Sequence, residues 1–249
     1  MYVVALSPSL VGSLAAFADT NRLDARLLFT FLFSAVALIA WVNLTNDVFD
    51  FDMGIDENKA ESIVNLFGGT RRTRHYIFAI ANLILLSGLY SISFLAAVDS
   101  TTFVFMLVDI ALGLIYQAPP FRLSYLGLGE PICFTAWVLG VCAAYYTQLV
   151  SHPPTFDVIV TQYPTVPARI KFVLLHLLPD KHRSLLAAAL LVAYPVSLVL
   201  FCSHFHQEFD DRAVGKLSPI VRLGVVRATR LLWFPVSYTH LTLPTILLV

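Results

Sequence analysis

The residues of this 249-residue chain best suited to chemistry lie between positions 43 and 56. Asn43, Asn46, Asp47 and Asp50 recur at i, i+3, i+4 and i+7, so a helix would align them as one polar stripe on an apolar rod. Asp52 points elsewhere, and Gly54 can end the helix and let Asp56 fold back toward the stripe. Carboxylates crowded within a few ångströms repel one another unless a multivalent cation lies among them. Oxygen donors at that density suit Mg²⁺, which takes a few carboxylates together with water and substrate phosphate oxygens. An acidic helix end is often only a solvated cap. Here Asn43 and Asn46 carry the polarity into the apolar segment, where uncompensated polar groups are costly.

Fixed positive charge beside such an ion is what a diphosphate requires. Lys59 and Arg71 follow closely, and Gly68-Gly69 could lend backbone amides to phosphate. Arg72 and Arg74 read as lipid-headgroup anchors for the next apolar run. Asp109 falls inside another such run, where an ionisable group is a functional suspect. Tyr116 comes two helical turns after it, so the two can line one cavity.

Composition says what must position these residues. Hydrophobic residues make up 58% and charged residues 13%, with mean hydropathy +0.77. An ordinary soluble domain has about 25% charged residues. A soluble enzyme, a disordered chain and a disulfide scaffold are excluded. Lys+Arg and Asp+Glu balance at 16 each, which leaves no electrostatic footprint for nucleic acid. The three cysteines lack metal-ligand spacing and read as reduced thiols.

Stretches near 2–18, 27–46, 76–98, 102–117, 130–150 and 184–203 could each cross a ~30 Å hydrocarbon core. Each must be helical, because a backbone in lipid has to satisfy its own hydrogen bonds. The stretch 224–249, broken by Arg227, Arg230, Pro235, His240 and Pro244, is a poor seventh. The expected fold class is therefore all-α, a multi-span transmembrane bundle of six to seven helices. Counting crossings puts 47–75, 118–129 and 204–223 on one side of the membrane, so three loops rich in acids and bases can converge there. The connection 151–183, with five prolines, reads as a surface linker or insertion; residues 170–178 could lie on the membrane surface.

Three stretches resemble a known family. Asn46-Asp47-Val48-Phe49-Asp50 with Gly54-Ile55-Asp56 is similar to the first aspartate-rich motif of the UbiA superfamily of intramembrane prenyltransferases. The runs Asn58–Leu66 and Tyr116–Glu130, and Phe201–Gln207 with Asp211, Gly215-Lys216 and Ser218–Gly224, resemble its plastid and cyanobacterial naphthoate branch. That superfamily's second motif commonly pairs two aspartates four apart. Gln207 stands at the first of those positions and Asp211 at the second, with Glu208 or Asp210 as substitutes. The resemblance makes 1–224 one UbiA-like transmembrane domain, short of the family's nine helices and so truncated, with 225–249 an atypical tail.

The resemblance implies Mg²⁺-dependent transfer of a prenyl (phytyl) group from its diphosphate to 1,4-dihydroxy-2-naphthoate, with loss of CO₂, in phylloquinone or menaquinone biosynthesis. Asn46, Asp47, Asp50 and Asp56 would hold one ion, and Asp211 with Asp210 another. Lys59, Arg71, Arg122 and Lys216 would grip phosphate oxygens; Asp47, Asp50, Asp211 and Tyr116 would carry catalysis; Asn43 and Asp109 would line the substrate site. Phe49, Phe51, Phe67 and Tyr125 would offer aromatic faces to a carbocation, and His204 and His206 are candidate proton carriers or hydrogen-bonded structural residues. The implied setting is a plastid or cyanobacterial membrane, with lipid and the two substrates as partners and no nucleic acid. Homogentisate or 4-hydroxybenzoate is the alternative acceptor. A cation-coupled transporter would call for inverted repeats and broken midplane helices, and neither is visible; an inactive fragment is the third reading.

Overall fold

The computed structural model describes residues 4–54, 62–96, 99–151, 155–177 and 183–233. Among these, every regular element is helical. The order is α1 (Leu6–Thr20), α2 (Ala25–Asp52), the single turn α3 (Ile63–Leu66), α4 (Arg71–Ala96), α5 (Ser100–Gln117), a 3₁₀ turn (Leu123–Leu126), α6 (Gly129–Val150), α7 (Thr155–Gln162), α8 (Val166–Leu175), α9 (Arg183–Ser203), α10 (Glu208–Ala213) and α11 (Pro219–Leu223). Residues 225–233 are helical too.

Five helices, α2, α4, α5, α6 and α9, are long and apolar enough to cross a membrane. At 15 residues α1 is shorter than the ~20 that a crossing usually takes. Phe29, Phe33, Leu83, Leu86 and Leu191 point outward, as the lipid-facing side of a membrane protein requires. The bundle closes around α6, whose residues 141–150 are all buried. Small residues let neighbouring backbones approach closely. A Cβ at Gly12 of α1 would run into the carbonyl of Val141 on α6, and one at Gly88 of α4 would lie 2.8 Å from Ala37 Cβ on α2.

One end of the bundle is pinned by three aspartates. Asp24 caps α2 through Arg26 N–H and Leu27 N–H, and its own backbone exchanges hydrogen bonds of 2.9 and 3.0 Å with the Gln148 side chain. Asp19 accepts from the Tyr145 hydroxyl at 2.8 Å and from Ser184. Asp99 caps α5 and accepts from Tyr146 at 3.0 Å and Arg169 at 2.6 Å. The described parts of the connection 151–183, read as a surface linker or insertion, carry two helices of their own. Its helices α7 and α8 are folded onto the bundle, with Val173 fully buried and Arg169 in the ion pair.

Candidate active site

The opposite end gathers the acids and bases. Because α2 runs unbroken to Asp52, its polar stripe is helical as spaced. Asp50 is 8% exposed; it accepts from Asn46 Nδ2 at 2.9 Å and from the Tyr125 hydroxyl at 2.6 Å. Asp47 accepts from the Ile63 N–H at 3.1 Å and so fixes the start of α3. Asn43 lies half-buried one turn deeper. Gly54 has a φ of 70°, the left-handed helix end expected of it. Asp56 and Lys59 lie outside the described residues.

Asp52 turns off the stripe and pairs with Arg74, which bonds it through Nε at 3.0 Å and through Nη2. Arg74 therefore ties the start of α4 to the end of α2. Arg71 is exposed at the first position of α4.

The second loop contributes Tyr125. The Arg122 guanidinium and the Lys216 ammonium each lie 5.7 Å from its ring centroid, within cation–π range. Arg122 adopts a left-handed φ of 43°, a strained conformation for a side chain of this kind, and also donates to the Met53 sulfur. The third loop meets the second directly, since Leu217 N–H donates to the Tyr125 carbonyl at 2.8 Å.

Asp211, 1% exposed, sits 3.0 Å from Lys216 Nζ and 3.4 Å from His204 Nδ1, and His204 Nε2 lies 3.3 Å from Glu130. Burial works against charge on Asp211, but the His204 imidazole and the Lys216 ammonium outweigh it and hold its pKa below the ordinary range. Burial also opposes charge on His204; the carboxylates of Asp211 and Glu130 overcome it and raise that pKa.

Asp210 is exposed, so α10 turns it away from the buried Asp211 next to it; Glu208 pairs with Arg212 at 2.8 Å. Tyr116 closes α5 with its carbonyl bonded by Ser124 at 2.7 Å, and its ring edge lies against Gly129. Asp109 is two turns deeper in α5, with Oδ1 buried and lacking a hydrogen-bond partner among the described residues. Phe49 packs edge-on against Phe78, and Phe67 is exposed, so neither joins the cluster. Among the described residues no three His, Cys, Asp or Glu side chains converge as a metal shell.

Two contacts lie within the Tyr116–Glu130 run but are given no partner by it. The Tyr125 hydroxyl is one; only its ring is suggested by type. The other is Gln117, fully buried and donating to Thr45 at 2.5 Å between α5 and α2. Its signals were its place in that run and at the end of an apolar segment.

Five helices long and apolar enough to cross a membrane, with acids and bases from three loops gathered at one end, give the architecture of a helical membrane protein. The chain belongs to the UbiA prenyltransferase family, which matches it over residues 5–249, and is a prenyltransferase by family. It is 41% identical over 244 residues to 2-carboxy-1,4-naphthoquinone phytyltransferase of Synechocystis, spanning 97% of this chain and 69% of that protein. Against the chloroplastic enzyme of the same name from Arabidopsis thaliana it is 42% identical over 250 residues, covering 100% of this chain and 58% of the relative. No solved structure matches it.

Proposed function

We propose that the chain transfers a phytyl group from its diphosphate to 1,4-dihydroxy-2-naphthoate, with loss of CO₂, within phylloquinone or menaquinone biosynthesis in a cyanobacterial or plastid membrane. Both relatives carry the name of a carboxynaphthoquinone phytyltransferase. The observation that carries the reading is the Tyr125 junction, where the acid of α2, the base of the second loop and the base of the third meet around one ring. A diphosphate lying there would have a prenyl tail free to run between apolar helices.

A divalent ion fits this chain at the end of α2. Asn46, Asp47 and Asp50 present oxygen donors on one helical face, and Asp56 follows in sequence. Mg²⁺ bound there would neutralise charge on the departing diphosphate. The chain's own groups do the rest. Asn46 and Tyr125 fix the Asp50 carboxylate, while Arg122 and Lys216, with Arg71 and Lys59 nearby in sequence, supply N–H donors to phosphate oxygens.

Cleavage of the allylic C–O bond leaves the electron pair on diphosphate and a cation on the tail. The ring carbon bearing the carboxylate then bonds to that cation; its C–C bond to the carboxylate breaks, and CO₂ leaves without a net proton being needed. Such attack requires an electron-rich ring, so the dihydroxy form is the competent acceptor. Tyr116, at the inner edge of the cluster, offers a π face to the cation. Asn43 and Asp109 would line the deeper part of the site.

Membranes holding the chain, incubated with radiolabelled phytyl diphosphate and each acceptor with and without Mg²⁺, test this. Phytylated naphthol product that requires both the naphthoate and the metal is the expected result. Equal product from homogentisate or 4-hydroxybenzoate defeats the acceptor assignment, and turnover in chelator defeats the metal role.

A further inference from the structure

We propose that this chain works with one divalent ion and that the ammonium of Lys216 takes the place of a second. The inference rests on the reading of the α2 acids as a metal site. It starts from Asp211, the buried carboxylate of the third loop. Lys216 Nζ is 3.0 Å from one of its oxygens, and His204 Nδ1 is 3.4 Å from the other. The pair is built into the backbone, because the Lys216 N–H donates to the Asp211 carbonyl at 2.8 Å and Gly215 turns the chain between them with a φ of 75°. Lys216 is thus delivered to Asp211 by the fold of its own loop.

Among the described residues, no three His, Cys, Asp or Glu side chains complete a metal shell at Asp211. Gln207 is neutral, Asp210 is exposed on another face, and Glu208 is engaged with Arg212 at 2.8 Å. The nearest remaining carboxylate, Glu130, is separated from Asp211 by the His204 ring. A dication on Asp211 would also stand against an ammonium that already neutralises it, and like charges so close repel strongly. Lys216 meanwhile lies over the ring of Tyr125, whose hydroxyl donates to Asp50. It is a compact fixed charge with three N–H donors, aimed where a diphosphate bound at the α2 site would extend. Asp211 is then a positioning residue for Lys216.

The test is ion stoichiometry of the full chain in lipid nanodiscs, measured with Mn²⁺ by equilibrium dialysis and electron paramagnetic resonance. The wild type should hold one ion per chain. Asp50→Asn should lose it, whereas Asp211→Asn and Lys216→Met should keep it with affinity within about threefold. Pyrophosphate binding at saturating Mn²⁺ should weaken about tenfold or more in Lys216→Met and return in Lys216→Arg, a rescue that a merely structural role for the loop would not produce. Two ions per wild-type chain, one of them lost in Asp211→Asn, would overturn the inference while leaving the α2 site intact. No bound ion at all would overturn the α2 reading beneath it. If Asp211→Asn does not fold, Lys216→Met decides alone, since unchanged pyrophosphate affinity in that variant sinks the proposal.

Discussion

The Tyr125 hydroxyl donates a 2.6 Å hydrogen bond to the Asp50 carboxylate, joining the end of α2 to a loop 75 residues further along the chain. The same ring carries Arg122 and Lys216. One tyrosine therefore orients the central acid of the site and positions two cations around it. Partners of this kind cost about 10–100-fold in metal affinity or activity when removed from a metal site. Tyr125→Phe, which keeps the ring and loses the hydroxyl, should lower kcat by that range with KM for the prenyl diphosphate nearly unchanged. Tyr125→Leu should also raise KM, because both cations lose their π face. Equal kinetics for the two variants would refute the division of labour.

Asp50→Asn should abolish turnover, by at least about a hundredfold, while leaving membrane insertion intact, because it removes a charge that would hold the metal. The comparison to make is phytyl transfer against the amount of chain recovered in the membrane fraction. Near-normal transfer in that variant would count against any metal role for the α2 stripe.

At the far end, Asp99 and Arg169 form an ion pair whose side chains are 2% and 12% exposed. Removing one partner leaves the other charged and desolvated, which typically costs about 3–5 kcal/mol. Asp99→Ala should therefore lower the unfolding temperature of the detergent-solubilised protein sharply and loosen α8, without changing acceptor choice in the folded fraction. Protease cleavage between α7 and α9, faster than in wild type, is the readout; unchanged cleavage and stability would show that the pin contributes nothing.

His204 has a raised pKa and is faced by Glu130 and Asp211, with Lys216 on the far side of Asp211. A raised folded-state value means that its contribution is complete below the ordinary histidine range and disappears as pH climbs through the folded value. Asp211, held low, contributes above the ordinary carboxylate range and loses its contribution as pH falls through its folded value. Thermal stability should thus decline on both the alkaline and the acid side. His204→Gln should flatten the alkaline decline, and an identical slope in wild type and variant would exclude His204 as its source.

Much of this protein was legible in the sequence because the determinants are local. Span positions follow from runs of apolar residues, since the bilayer demands nothing more specific of them. The stripe of Asn43, Asn46, Asp47 and Asp50 follows from helical periodicity alone, and the family motifs from short runs of residues. Counting crossings predicts three loops on one side, and the described loops do meet, through Tyr125 with Asp50 and through Leu217 with Tyr125. Tertiary structure decided what depends on which surfaces meet. It sent Arg74 to Asp52, turned Asp210 away from Asp211, folded α7 and α8 onto the bundle through Arg169, and gave Lys216 to Asp211. Each of those outcomes is a choice of partner among several charges of the right sign. Residue type and spacing limit that choice, but only packing settles which charge is near enough, and dry enough, for the attraction to prevail.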